Sequence, residues 1–239
     1  MAPNYHLLPE NYTDTTCLWV FGYGSLLWKP NFEYSTLEIG HVKGYVRRFW
    51  QGNTTHRGVP GKPGRVATLV KQDEGVTWGM AFLLKGEAQI LDALSHLNTR
   101  ECQLGGYTIH STTFHPRKGS EHEVVVFTAT PGCLNYMGPA PMATIASEIL
   151  CSRGLSGHNL EYLFRLAETV RRLIPEDEDE HLFELEAATK KMLRRLSCRT
   201  PSQEMFAIPV KHSEESNNSL SKWPSTQPTL QGQMLTKSH

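Results

Sequence analysis

The sequence predicts an α+β fold, with strands gathered in the first half of the chain and helices dominating its last part. Runs of strand composition recur between Leu18 and Ala129, and helical periodicity prevails from Met142 to Leu196. No internal repeat and no regular strand-helix alternation connects the two regions, which argues against βαβ units. With 239 residues, 39% of them hydrophobic and 20% charged, the chain is long and apolar enough to bury a sizeable core, as one domain with tails or as two small domains.

Residues 1–16 are polar and read as a flexible N-terminal extension. Leu18, Trp19 and Val20 form a short apolar strand that runs into Phe21-Gly22-Tyr23-Gly24-Ser25-Leu26. A second strand covers His41 to Val46 and continues through Arg47-Arg48-Phe49-Trp50-Gln51, and a Gly- and Pro-rich loop spans Gly52 to Gly64. Val66 to Val70 and Val76 to Leu84 are apolar runs on either side of Asp73-Glu74-Gly75, which reads as a hairpin turn. Gly86 to Leu97 places Ile90, Leu91, Leu94 and Leu97 on one helical face. Tyr107 to Phe114 and Glu123 to Ala129 return to strand composition, and Thr130 to Pro141 is a loop. Helices follow at Met142 to Cys151, at Gly157 to Leu173 before Pro175, and at Glu178 to Leu196. The last has acids at its start and bases at its end, the order that complements the helix dipole. From Arg199 to His239 the chain is polar with few apolar anchors and reads as a disordered tail, leaving 17–198 as the folded domain.

Composition excludes several function classes. A formal net charge of zero gives no electrostatic footprint for nucleic acid. No apolar run is long enough for membrane insertion, and the N-terminus lacks an apolar leader core, which places the expected location in the cytosol. Five scattered cysteines without a C-x-x-C pair fit neither a disulfide framework nor a zinc knuckle. Gly58 to Pro63 fails as a phosphate loop because Pro63 follows Lys62. Ser25 is not in a nucleophile elbow, since Tyr23 and Leu27 occupy the glycine positions. The eleven histidines show no metal-ligand spacing.

What remains is a constellation of turn, carboxylate and phenol. The two glycines and serine after the first strand stop it abruptly and point backbone N–H groups outward, where they can hold a carboxylate or a developing oxyanion. Glu101, after the first helix and before Gly105-Gly106, is either a solvent-exposed glutamate paired with Arg100 or a general acid/base in a pocket that the glycines open. Tyr136 is either a packed loop tyrosine or a phenol in that pocket. Arg48 and Arg57 are either surface partners of acids or clamps for a substrate carboxylate. Cys102 has no adjacent histidine to activate it.

These residues carry a family resemblance. Phe21 to Leu26, Arg48 to Gly52, His56 to Arg65 and Arg100-Glu101 with Gly105-Gly106-Tyr107 resemble the ChaC family. So do Gly138 to Pro141, Ser156 to Leu163 and Asp179 to Leu182, all in order along the chain. The spacer Cys102-Gln103-Leu104 is more similar to the ChaC1 branch than to the ChaC2 branch. The resemblance implies a γ-glutamylcyclotransferase-like small mixed β-barrel flanked by helices, acting on glutathione. It implies that the turn from Phe21 to Leu26 binds the γ-glutamyl head and that Glu101 is the proton acceptor. No metal or cofactor is called for, because the substrate supplies its own nucleophile. Three other readings stay open: ring closure on other γ-glutamyl amino acids or amines, a thiol hydrolase using Cys102, and a regulatory module acting through a protein partner, as members of the ChaC1 branch are linked to restraining the Notch receptor.

Overall fold

A computed structural model describes residues 16–98 and 107–199. β1 (Cys17–Gly22), β2 (Thr36–Asn53), β3 (Gly64–Lys85), β4 (Thr108–Pro116) and β5 (His122–Thr128) close into a barrel in the order β1-β3-β2-β4-β5. Neighbouring strands pair antiparallel except at the closure, where β1 meets β5 in parallel with Val20 opposite Val125. Apart from Thr16 and Arg199, the expected N-terminal extension and C-terminal tail lie outside the described residues, as does the whole segment from Arg100 to Gly106. No helix among the described residues is long and apolar enough to cross a membrane.

β2 and β3 are a long hairpin whose reversal lies in the expected Gly- and Pro-rich loop. Within that loop Val59 and Lys62 exchange backbone hydrogen bonds around Pro60-Gly61, with Gly61 at φ +79°. That is the residue pattern of a type II turn. The turn expected at Asp73-Glu74-Gly75 is absent, because β3 runs straight through it. Its residues are absorbed instead as a bulge. Lys43 faces Val76 and Tyr45 faces Lys71, which leaves Gln72 to Gly75 opposite Gly44. Gly44 sits at φ +79°, a conformation that glycine adopts without strain. A second shift sets Phe49 and Trp50 of β2 against Ala67 alone.

Alternating side chains from all five strands fill the barrel, among them Leu18, Val20, Val42, Phe49, Phe82, Phe114 and Val125, all buried. Each such side chain contributes roughly 1.5–3 kcal/mol when fully removed from water. α1 (Glu87–Leu97) follows β3 and buries Ile90, Ala93, Leu94 and Leu97, so its inner face is rotated from the expected one and Leu91 is only half-buried. α2 (Met142–Cys151), α3 (Asn159–Leu173) and α4 (Glu180–Arg199) pack on one another; α2 and α3 also touch β3, and α4 touches β2. α3 begins later than the periodicity indicates. Gly157 is at φ +104° and pairs, with His158, against Arg153-Gly154 in a small two-stranded turn, and His158 then caps the helix.

Candidate active site

β1 stops at Gly22, and a 3-10 turn at Ser25–Leu27 follows at once. The tight reversal needs glycine: a Cβ on Gly22 would lie 2.7 Å from Leu26 Cβ and 3.1 Å from the Phe82 ring. The turn's own bonds run from the N–H groups of Leu27, Trp28 and Lys29 back to Gly24 and Ser25. Ser25 and Leu26 stand at its start, where a helical turn points its backbone N–H groups outward.

Tyr23 is pinned at both ends. Its hydroxyl donates to Phe127 O at 2.5 Å, and its carbonyl accepts from Arg47 Nε at 2.8 Å. Arg47 is 1% exposed. It also donates to Trp78 O at 2.8 Å, Asp177 Oδ2 at 2.9 Å and Asp179 Oδ2 at 2.6 Å. Burial opposes charge on this guanidinium, yet the two aspartates hold its pKa above the ordinary value. Burial pushes the Asp177 carboxyl up, against the pull of Arg47. The acid-rich segment before α4 thus fixes, through one buried arginine, the backbone of the turn after β1.

β1 covers β3 only from Met80 to Lys85, so the earlier part of β3 has no β1 neighbour. α3 docks there. Asn159, fully buried, accepts from Arg65 N at 2.7 Å through Oδ1 and donates to Arg65 O at 2.9 Å through Nδ2, as a strand partner would. One helical turn later Tyr162 reaches the next site on the strand, where its hydroxyl accepts from Ala67 N at 3.2 Å. Tyr107 donates to Ala67 O at 2.8 Å. The Tyr162 hydroxyl also lies 3.0 Å from where a Cβ of Gly24 would be, so the helix closes on the turn.

A cavity of about 490 Å³ opens in this gap. Its floor includes Phe21, Ala67 and Phe127, and Tyr23, Gly24, Ser25 and Leu26 line it from the turn. Tyr107 and Tyr162 form a wall, and Arg57, Glu161 and Arg165 stand among the remaining lining residues. Arg57 donates to His158 O at 3.0 Å and pairs with Glu161 at 3.2 Å, so one terminal nitrogen is engaged by the protein. Burial lowers the pKa of the capping His158, in keeping with its Nδ1 accepting from Leu160 N. No group of His, Cys, Asp and Glu among the described residues is arranged to hold a metal ion.

The structure separates two expected site residues from this cavity. Arg48 faces a second cavity with His181, Trp78 and the acids before α4, and its terminal nitrogen donates to Arg47 O at 2.8 Å. Strand alternation turns it away from Arg47, the arginine that does hold the turn. Tyr136 is bridged to Gln51 at the end of β2, because Met137 and Gly138 donate to Trp50 O. It is not among the described residues lining the first cavity. Glu101 and Cys102 lie outside the described residues. Sequence reasoning passed over Arg47, Trp28 and Tyr162 as individual site residues. For Tyr162 a signal existed, since an aromatic with a polar tip on the apolar face of a helix requires a buried hydrogen-bond partner.

In the second cavity His181 Nε2 accepts from Phe49 N at 3.2 Å, so the neutral ring carries its proton on Nδ1. Burial, and then the neighbouring Arg48 charge, lower its pKa from 6.5 to about 4. A depressed histidine favours the folded state fully above pH 6.5, and that contribution is lost as the pH falls toward 4. The unfolding midpoint is therefore expected to decline over this window, and to decline less in His181→Gln, which keeps an acceptor but does not titrate. Equal slopes for the two proteins would contradict this.

The ChaC-like protein family matches residues 18–192, nearly the whole of the described fold. The chain belongs to the ChaC-like family. Among ChaC-like relatives, the Homo sapiens protein named glutathione-specific γ-glutamylcyclotransferase 1 is 46% identical over 202 residues, 84% of this chain and 89% of that protein. The Danio rerio protein of the same name is 48% identical over 74% of this chain and 91% of its own length. A solved yeast γ-glutamyl cyclotransferase specific to glutathione superposes with a TM-score of 0.68 at 28% identity, covering 74% of this chain and 96% of that one. The expected ChaC-like architecture, a small mixed barrel flanked by helices, is the one described above.

Proposed function

We propose that this protein degrades glutathione as a glutathione-specific γ-glutamylcyclotransferase, releasing 5-oxoproline and cysteinylglycine. The observation that carries this reading is the near full-length similarity to several proteins bearing that name. The cavity beside the Gly22-to-Leu26 turn supports it, because its lining joins backbone donors, phenols and cations in a space that suits a tripeptide.

The reaction is an internal substitution. The α-amine of the γ-glutamyl residue attacks its own γ-carbonyl carbon, a new C–N bond closes a five-membered ring, and the amide bond to cysteine breaks. Holding the substrate folded back makes the attack intramolecular, an advantage of up to roughly 7–11 kcal/mol. Glu101 takes a proton from the substrate ammonium and returns one to the departing amine nitrogen. The start of the Ser25–Leu27 turn receives the oxyanion or the α-carboxylate on backbone N–H groups. Arg57 supplies positive charge on the opposite side. Arg48 and Tyr136 have no part in this mechanism.

Purified protein incubated with reduced glutathione, without added metal, is expected to yield both products in equal amounts. A folded protein that yields neither would redirect the search to other γ-glutamyl compounds, and then to the binding-module reading. Ser25→Ala keeps the backbone donors and is expected to retain most of the turnover. A loss as deep as that of a Glu101 variant would assign the work to the hydroxyl instead.

A further inference from the structure

Glutathione carries two carboxylates, and the turn after β1 accounts for only the one on the γ-glutamyl head. The glycyl carboxylate leaves with the dipeptide and distinguishes glutathione from shorter γ-glutamyl compounds. Of the cavity's arginines, Arg57 is already paired with Glu161 and with a backbone carbonyl. Arg165 is different. Its side chain is exposed, and among the described residues it has no carboxylate partner. Its guanidinium carbon lies over the Trp28 ring, 5.9 Å from the centroid.

That placement follows from the fold. Tyr162 and Arg165 are three residues apart on α3 and share a face, about 4.5 Å apart along the axis. Trp28 closes the 3-10 turn and stands edge-on to Tyr162 at 5.6 Å. Gly24, Tyr162, Trp28 and Arg165 therefore form a continuous wall from the head-binding turn outward. A cysteinylglycine leaving group extends at most about 7 Å beyond the scissile bond, which suits one helical turn plus the reach of an arginine. Cation–π attraction to an indole holds a guanidinium without neutralising it, so a carboxylate can still be met by two parallel N–H donors.

We infer that Arg165, held over Trp28, binds the glycyl carboxylate and makes the enzyme select glutathione over γ-glutamyl substrates that lack it. This rests on the cyclotransferase reading above. Arg165 is a specificity residue here, remote from the bonds that change.

The test compares reduced glutathione with its glycine amide, which keeps every reacting atom and removes the terminal charge. The wild type is expected to prefer glutathione. In Arg165→Gln, kcat/KM for glutathione is expected to fall roughly 10- to 100-fold, the size of one charge-assisted contact, chiefly through KM. Turnover of the amide is expected to stay at its wild-type value. Arg165→Lys, which keeps charge without the fork, is expected to fall between them. A wild type that treats the two substrates alike, an equal loss on both in Arg165→Gln, or no loss on glutathione would each overturn the inference. If the wild type releases no 5-oxoproline from either, the glutathione reading fails and takes this inference with it. Preserved glutathione turnover in Arg165→Gln removes the specificity role alone.

Discussion

Glu101→Gln is expected to give a folded protein whose turnover of glutathione is lower by roughly 10²–10⁴-fold, the usual weight of a positioned acid/base. Glutamine has nearly the same shape and one fewer ionisable group, so substrate binding should persist while proton transfer does not. The product assay and binding of an inert analogue, deaminoglutathione (glutaryl-cysteinylglycine), which lacks the attacking amine, separate the two effects. A kcat that collapses with KM nearly constant would mean an interaction made only in the transition state. Near-normal kcat would remove Glu101 from the mechanism and return it to the role of a surface partner for Arg100.

Arg47→Met is expected to be the most damaging single change to stability. It leaves the buried Asp177 and Asp179 without the cation that hydrogen-bonds them, beside two backbone carbonyls that lose their donor. Removing one member of a buried ion pair costs about 3–5 kcal/mol. The urea midpoint reads this directly. Arg47→Lys provides the milder comparison, since an ammonium keeps the charge and cannot reach four acceptors in different directions. Because Tyr23 O is one of those acceptors, the lysine variant should also lose catalytic efficiency out of proportion to its stability. A destabilisation of less than about 1 kcal/mol in Arg47→Met would mean that the pair is screened like an exposed one.

The two neighbouring arginines show where sequence reasoning reached and where it stopped. Counting in twos from the buried Val42 brings Val46 and Arg48 to the interior. The bulge at Gly44 reverses that phase, so Arg47, Phe49 and Gln51 are buried instead. A one-residue slip exchanges the two faces of a strand, and its sign in the sequence, the isolated Gly44 inside a strand pattern, was not read as a bulge. The same bulge explains the missing reversal at Asp73-Glu74-Gly75, whose residues suit a turn in isolation but lie opposite a strand that continues to pair. The turn after β1 was legible because its glycines have a steric cause, seen in the approach of Leu26 and Phe82 to Gly22. β1, β2, β4, β5 and the helices were legible from apolar periodicity, β3 was read as two strands, and the closed barrel came from the family resemblance. Trp28 and Arg165 were not, since their meeting depends on how α3 seats against β3 through Asn159, a long-range contact that no spacing encodes.

The parallel contact between β1 and β5 has a consequence for biosynthesis. β1 emerges from the ribosome early and is covered along one side once β3 is made. Its other side faces β5, which is the last strand of the barrel to be translated. Until then a nascent chain exposes a row of amide and carbonyl groups able to recruit a strand from another molecule. The barrel is thus latched by its final strand, and the interval before that strand arrives is when the growing chain most needs a chaperone's protection.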